Sequence, residues 1–182
     1  GTGVEVEADL AAARAADGTT WVHVEDASDE EIDAVADTFD LHALAIEDVR
    51  KNVRSKAEEF SAYTFALVKT ARLTRGDTTF EEEIDDEPVG LFVGDDWLVT
   101  VATGSAEPVA TVQDAVRRGD ERLLERGPDF TAYRLLDVLV ESYFEVLEPL
   151  ENQIEAIEDE VVESPDADLL GEINSVRREL LS

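Results

Sequence analysis

The chain has 182 residues and a formal net charge of -30, which results from 45 acidic and 15 basic residues. Its hydrophobic content of 43% is sufficient for a sizeable core, so the chain is not a disordered acidic tail. So much negative charge repels nucleic acid and anionic membrane surfaces and attracts cations, which excludes a nucleic-acid partner. There is no cysteine, which excludes disulfides, thiolate zinc sites and cysteine nucleophiles.

Lysine is rare, with only Lys51, Lys56 and Lys69 in the whole chain. An acidic, lysine-poor surface is typical of proteins adapted to molar salt, where dense counterions screen the repulsion between carboxylates. The composition therefore predicts a halophilic source.

Patterns in the first third of the chain predict helices and a strand. An alanine-rich helix is expected over 5–16, a strand over 19–24 and a short helix over 41–51. Between them, Ser28 and Glu31 have the spacing of a capping box and predict a helix that extends to Phe39.

The middle of the chain predicts a sheet followed by two short helices. A strand is expected over 63–73, and a hairpin over 89–102 turns at Gly94-Asp95-Asp96. The charge run at 81–87 predicts a solvated loop or an edge strand. Short helices are predicted over 108–118 and 120–126.

Residues 129–163 have helical periodicity almost without a break. The first half is apolar on nearly all sides, which predicts burial against the sheet. The second half has a narrow apolar stripe typical of a coiled coil, and Pro149 predicts a bend between the two halves.

The last residues predict a turn at Ser164 and Pro165 and then a helix over 165–182. The architecture is therefore an α/β body over 1–127, followed over 128–182 by a long helix and a projecting antiparallel helical hairpin. Because the chain begins at Gly1, lacks methionine and ends within a helical pattern, we expect a part of a longer protein. No apolar run reaches the roughly 18 residues of a membrane span.

Common catalytic motifs are absent from the sequence, which has neither a phosphate-binding loop nor a G-x-S-x-G elbow. His23 lies among apolar strand residues and is interpreted as a hydrogen-bonded core or face histidine rather than a metal ligand. His42 is interpreted as the residue that begins a helix.

Carboxylates remain as candidates, since Mg²⁺ prefers oxygen ligands and often uses only one or two carboxylates together with water. Glu47 precedes Lys51 by four residues, so an ordinary surface ion pair explains it equally well. Asp48 shares its helix face with Leu41 and Leu44 and reaches Lys51 only at the poorer spacing of three residues.

Asp137 lies on the same face of the long helix as Tyr133, Val140 and Phe144. A carboxylate in such apolar surroundings is costly unless it is paired or bound to a metal. A salt bridge to Arg134 and a metal site are equally compatible with this pattern.

Four basic residues cluster between positions 50 and 56: Arg50, Lys51, Arg54 and Lys56. We interpret them as structural. The first two end a short helix and can pair with Glu47, and the last two can bond nearby acids such as Glu58 and Glu59.

The stretches "HALAIEDV" (42–49) and "YRLLDVLVESYFEVLE" (133–148), in this order, resemble the cytoplasmic domain of CorA-type magnesium channels. The resemblance covers almost the whole chain. It implies an α/β/α body with a mixed β-sheet, then a pair of helices beside a stalk helix that leads to two membrane spans. The pore signature Gly-Met-Asn would lie beyond Ser182.

By matching these motifs, the resemblance implies that Glu47, Asp48 and Asp137 help to hold regulatory Mg²⁺, or another divalent cation such as Co²⁺, between protomers. Bound metal would favour the closed channel. It further implies a non-enzymatic domain at the cytoplasmic face of the cell membrane and a homopentamer in the full-length protein. The isolated chain is expected to be monomeric or weakly oligomeric, with membrane contact only through C-terminal spans.

Three alternatives remain open. The first is the same domain of a zinc-transporting relative, although the few histidines and the absence of cysteine argue against zinc. The second is a purely structural scaffold. The third is a metal-dependent hydrolase, for which the sequence offers no arrangement of nucleophile and base.

Overall fold

The computed structural model describes residues 9–26, 28–51, 53–75, 82–163 and 173. The helices are α1 (Leu10–Ala15), α2 (Asp29–Phe39), α3 (Ala43–Arg50), α4 (Glu107–Arg117), α5 (Glu121–Glu125) and α6 (Gly127–Glu163). The strands are β1 (Thr20–Val24), β2 (Lys56–Glu59), β3 (Thr64–Arg75), β4 (Glu82–Val93) and β5 (Trp97–Ala102). The chain forms two compact units, the first from residues 1–70 and 87–140 and the second from residues 71–86 and 141–182.

The five strands form one mixed sheet in the order β1-β5-β4-β3-β2. Strand β1 runs parallel to β5, with Val22 opposite Val99. Strand β4 is antiparallel to β5, and β2 is antiparallel to β3. The prediction of an α/β fold with a mixed sheet is therefore confirmed.

In the first unit, alternating side chains of β5 supply two separate hydrophobic cores. Trp97, Val99 and Val101 pack with the buried residues of α2 and α3. Leu98 and Ala102 point to the opposite face and pack with those of α4 and α6. Because successive side chains of a strand point to opposite faces, one apolar strand binds helices on both sides of the sheet.

Two local predictions are confirmed in atomic detail. Ser28 and Glu31 form the capping box at the start of α2: the Glu31 backbone N–H donates to Ser28 Oγ (3.3 Å), and the Ser28 N–H donates to Glu31 Oε2 (2.9 Å). The β4–β5 hairpin closes through a hydrogen bond from the Gly94 N–H to the Trp97 carbonyl at 2.9 Å. A Cβ atom on Gly94 would lie 2.3 Å from the Trp97 indole, so only glycine fits there.

Two charged segments are strands. The charge run at 81–87 is predicted to be a solvated loop or an edge strand, and from Glu82 it is strand: it forms the first part of β4, whereas β5 pairs only with Val89–Val93 of β4. Its carboxylates find partners within the sheet, since Arg72 of β3 donates to Asp85 at 2.7 Å. Strand β2 was not predicted, because "KAEE" contains no apolar alternation.

Helix α6 confirms the predicted long helix, but the expected burial on nearly all sides is wrong. Leu135 and Leu139 are fully buried, whereas Tyr133 and Val140 are 56% and 52% exposed. Over these residues the sheet covers one side of the helix. Pro149 lies within α6, and the bend expected there stays a prediction.

The predicted helix over 165–182, and with it the helical hairpin, lies outside the described residues except for Ile173, which is helical. The side chains of the coiled-coil stripe also lie mostly outside them. Within the part of the chain that is described, no helix is both long enough and apolar enough to cross a membrane.

Candidate metal-binding site

Helix α3, which carries two of the candidate carboxylates, is held closely against the sheet. Its buried residues are Ala45, Ile46 and Val49. A Cβ atom on Gly90 of β4 would lie only 2.5 Å from Val49 Cγ2. Gly90 therefore permits the close approach that fixes the position of α3.

The start of α3 is fixed by two hydrogen bonds at His42. Its Nδ1 atom accepts from the Leu44 backbone N–H at 3.2 Å, and its own backbone N–H donates to Tyr63 Oη at 2.8 Å. His42 is the N-cap residue of the helix, which confirms its interpretation as a helix-start residue. The bond to Tyr63 connects the helix to the start of β3.

Glu47 accepts a hydrogen bond from Lys51 Nζ, and both side chains are exposed. This bond raises the pKa of Lys51 above its usual value. The surface ion pair predicted for Glu47 is therefore present.

Asp48 has a different environment, because its partner comes from another element. Lys56 Nζ lies 2.5 Å from Asp48 Oδ2 and 3.0 Å from Glu58 Oε1. These two bonds, that to Asp48 first, raise the pKa of Lys56. The Asp48 side chain is 21% exposed, less than that of Glu47 or Asp137.

The expectation that Asp48 reaches only Lys51 is therefore wrong. Strand β2 brings Lys56 to Asp48, and the sequence patterns did not reveal this strand. The prediction that Lys56 bonds Glu58 is confirmed.

Asp137 accepts a hydrogen bond from Arg134 Nη1, one helical turn earlier, and is 35% exposed. The salt bridge considered from the sequence is present. The expectation of a carboxylate in apolar surroundings is wrong, because Tyr133 and Val140 on the same face are themselves open to solvent.

The other residue of the basic cluster with a described partner is Arg50, which does not pair with Glu47 as expected. It contacts α2 instead, with Nε 3.0 Å from Asp29 Oδ1 and Nη2 2.8 Å from Asp33 Oδ1. Arg50 thus joins α3 to α2, in agreement with a structural role for the basic cluster.

His23 is a hydrogen-bonded residue of the sheet, as predicted. Its side chain is 7% exposed, and Nδ1 lies 2.8 Å from Thr100 Oγ1 on the neighbouring strand. Glu25 Oε2 is 3.7 Å from Nε2, which has no hydrogen-bond partner in the described part of the chain. Burial lowers the pKa of His23, although Glu25 opposes this effect.

The three candidate carboxylates suit a hard cation in chemistry and in access. All are oxygen ligands, all are partly exposed, and each already binds one side-chain cation. Among the described residues of one chain, however, no three Asp, Glu or His side chains are grouped so that they could hold a metal ion. The described residues of a single chain thus offer separate carboxylates, and water or a second copy must supply the remaining ligands of a bound metal ion.

Comparisons with known proteins agree with this fold. A family model described as "CorA-like Mg2+ transporter protein" matches residues 16–182. The putative metal ion transporter YfjQ of Bacillus subtilis is 26% identical over 88% of this chain and 48% of its own length. The cobalt/magnesium transport protein CorA of Thermotoga maritima is 24% identical over 89% of this chain and 46% of its own.

A solved structure has a similar fold. The soluble domain of CorA from Methanocaldococcus jannaschii superposes with a TM-score of 0.67 at 21% identity, over 90% of this chain and 63% of that one. The chain spans about half the length of the two curated relatives above.

Proposed function

The chain belongs to the CorA-like Mg²⁺ transporter family, a family of transporters rather than enzymes, and from this premise we propose that it is a Mg²⁺-sensing domain. In this proposal it lies at the cytoplasmic face of the membrane, attached to spans outside the 182 residues. Asp48, Glu47 and Asp137 bind the regulatory cation, with Co²⁺ as a second candidate ion.

The observation that carries this proposal is that each candidate carboxylate is partly open to solvent and already engaged with a cationic side chain. Such groups are available to a divalent cation, and the described residues of one chain do not complete its coordination. Carboxylates of neighbouring copies repel one another when bare. A divalent cation that neutralises them stabilises the closed arrangement by binding it more tightly than the open one.

We further propose that copies associate through the exposed face of α6, as a homopentamer in the full-length protein. Tyr133 and Val140 lie on that face, one helical turn before and after Asp137, and both are more than half exposed. Apolar side chains beside a carboxylate fit an interface at which a cation joins two copies. In sedimentation velocity we expect the isolated chain to be monomeric or weakly associated without Mg²⁺ and to form larger species with it.

The test of metal sensing is a Mg²⁺ titration in a constant high concentration of KCl, which suppresses nonspecific cation binding. We expect Mg²⁺ to raise the melting temperature of the wild type more than that of an Asp48→Asn/Asp137→Asn variant. The control is Asp37→Asn/Glu125→Gln, which removes the same number of charges at exposed positions and should behave as the wild type. An equal response in all three proteins contradicts the site. Repeating the titration with Co²⁺ and Zn²⁺ ranks the cations.

The composition supports a separate proposal, that the protein is adapted to high salt. With a net charge of -30, repulsion between carboxylates destabilises the folded state at low ionic strength. We expect the melting temperature to rise from low to molar KCl, and a constant melting temperature would contradict this proposal.

A further inference from the structure

We propose that the Lys56 ammonium is a built-in competitor for the divalent cation at Asp48, and that Glu58 is a further carboxylate of the same site. This inference rests on the proposed function and concerns how the affinity of that site is set. It assigns Lys56 a role beyond the structural one that the sequence suggested.

The geometry around Lys56 marks a position where a cation is already held. Its Nζ atom lies 2.5 Å from Asp48 Oδ2 and 3.0 Å from Glu58 Oε1. The two carboxylates belong to different elements, α3 and β2, and they converge on one positive charge. The Lys56 side chain is 32% exposed, so dissolved cations can reach the position.

Strand geometry explains why Lys56 and Glu58 act together. Residues two apart in a strand point to the same face of the sheet. Glu58 is paired with Phe65 of β3, and Phe65 lies in the same hydrophobic core as Val49 of α3. Both side chains of β2 therefore point to the face that α3 covers, where Asp48 is located.

A metal ion bound between Asp48 Oδ2 and Glu58 Oε1 cannot share that position with the ammonium. Mg²⁺ binds carboxylate oxygens at about 2.1 Å, and a lysine nitrogen in contact with the same oxygens would occupy its place. Binding must therefore displace Lys56, whose flexible four-carbon stem allows the ammonium to move into solvent. The affinity for metal is then reduced by the strength of the ion pairs that Lys56 gives up.

The other two candidate carboxylates are held differently. Lys51 contacts Glu47, and Arg134 contacts Asp137, each within its own helix and with one described carboxylate. Arg50 does join two carboxylates, Asp29 and Asp33, but these link two helices of the body and are not candidate metal residues. The combination of an ammonium, a candidate metal carboxylate and a second carboxylate is found at Lys56.

The experiment measures the Mg²⁺ concentration at half-maximal thermal stabilisation, in constant high KCl, for the wild type and four variants. We expect Lys56→Gln to lower this concentration about two- to fivefold, the factor expected for the loss of an exposed ion pair. Lys56→Arg retains the competing charge and should not lower it. Arg117→Gln removes the same charge at an exposed position on α4 and should leave it unchanged.

The fourth variant tests Glu58. In Lys56→Gln/Glu58→Gln the half-maximal Mg²⁺ concentration should return to the wild-type value or rise above it, because a carboxylate of the site is gone. If Lys56→Gln does not fold, Lys56→Met takes its place, since methionine keeps an unbranched stem without the charge.

The inference is overturned if the half-maximal Mg²⁺ concentration of Lys56→Gln equals or exceeds that of the wild type. It is equally overturned if Arg117→Gln lowers this concentration by the same factor. It is also overturned if the half-maximal Mg²⁺ concentration remains low in Lys56→Gln/Glu58→Gln. The proposed function fails by a different result, an Asp48→Asn/Asp137→Asn variant that responds to Mg²⁺ as the wild type does. A protein in which neither the wild type nor Lys56→Gln responds to Mg²⁺ contradicts both.

Discussion

The carboxylate of Asp48 on α3 and that of Asp137 on α6 are both neutralised, but by different means. Asp137 is paired with Arg134, three residues earlier on the same helix. Asp48 is paired with Lys56, which reaches it from strand β2. One pair is formed by the helix alone, and the other forms only when the sheet has brought β2 next to α3.

This difference shows how the two carboxylates can respond to a cation. The pair on α6 can break with little effect on contacts between elements, because both partners belong to one helix and are partly exposed. The pair on α3 also involves Glu58 and an edge strand, so a metal that displaces Lys56 changes a contact between two elements. We therefore expect metal binding to change the contacts of α3 more than those of α6.

The prediction with the largest expected effect concerns α6, which we expect to be packed on one face and open to solvent on the other. Leu135→Ala, at a fully buried position, should lower the free energy of unfolding by about 2–5 kcal/mol. Val140→Ala, on the face that carries Asp137, should lower it by less than about 0.5 kcal/mol. Urea denaturation measures both. Similar losses would mean that the Asp137 face is also packed, and the contrast between the two faces would be wrong.

The next effect concerns the position of α3. Gly90→Ala places a methyl group 2.5 Å from Val49 Cγ2, so the helix or the strand must shift. Overpacking of this kind should cost about 1–3 kcal/mol in urea denaturation. The same variant should weaken the Mg²⁺ response that depends on Asp48 more than the part that depends on Asp137. A stability equal to that of the wild type would contradict the close packing of α3.

A pH effect from His23 must be separated from both carboxylate regions. Burial lowers the pKa of His23, so the unfolded chain binds its proton first as the pH falls below about 6.5. Stability due to the neutral imidazole is fully present above that pH and is lost below it. The slope is at most about 1.4 kcal/mol per pH unit for one proton.

The measurement is urea denaturation between pH 7.5 and 5.5 for the wild type and His23→Gln. His23→Gln should lack the decrease in the free energy of unfolding that the wild type shows as the pH falls. A decrease of equal slope in both proteins would assign the effect to other groups. The Mg²⁺ titrations belong above pH 7, where His23 is neutral.

The smallest effect is expected for the local pair on α6. Arg134→Gln should lower the free energy of unfolding by about 0.2–0.5 kcal/mol, the range for ion pairs within a helix. Thermal denaturation in low and high KCl detects it, with a smaller difference at high salt because the pair is exposed to solvent. A loss well above 1 kcal/mol would indicate that this pair is part of the fold and not a local contact.

The predictions from the sequence were most successful where the contacts are local. The capping box of Ser28 and Glu31, the turn at Gly94 and the pair of Arg134 and Asp137 involve residues within four positions, so residue spacing alone identifies them. The period of α6 likewise showed which side chains share a face. It could not show which side the sheet covers, because tertiary packing decides that.

The predictions were weakest where charged residues lie in strands. Strand β2 ("KAEE") and the first half of β4 contain too few apolar residues to be recognised by alternation. Their places in the sheet depend on neighbouring strands, which supply the hydrogen bonds and the partner charges. The bond between Asp48 and Lys56 was missed for the same reason, since it exists only once β2 is in place.

The central claim, that divalent cations bind at Asp48 and Asp137, is tested most directly by locating the metal. Mn²⁺ in trace amounts, at constant high KCl, broadens the amide signals near its binding site in NMR spectra. We predict selective broadening around Glu47, Asp48, Glu58 and Asp137, which excess Mg²⁺ reverses. Equal broadening around exposed acids elsewhere, such as Asp37 and Glu125, would contradict the claim, as would sharp signals at Asp48 and Asp137.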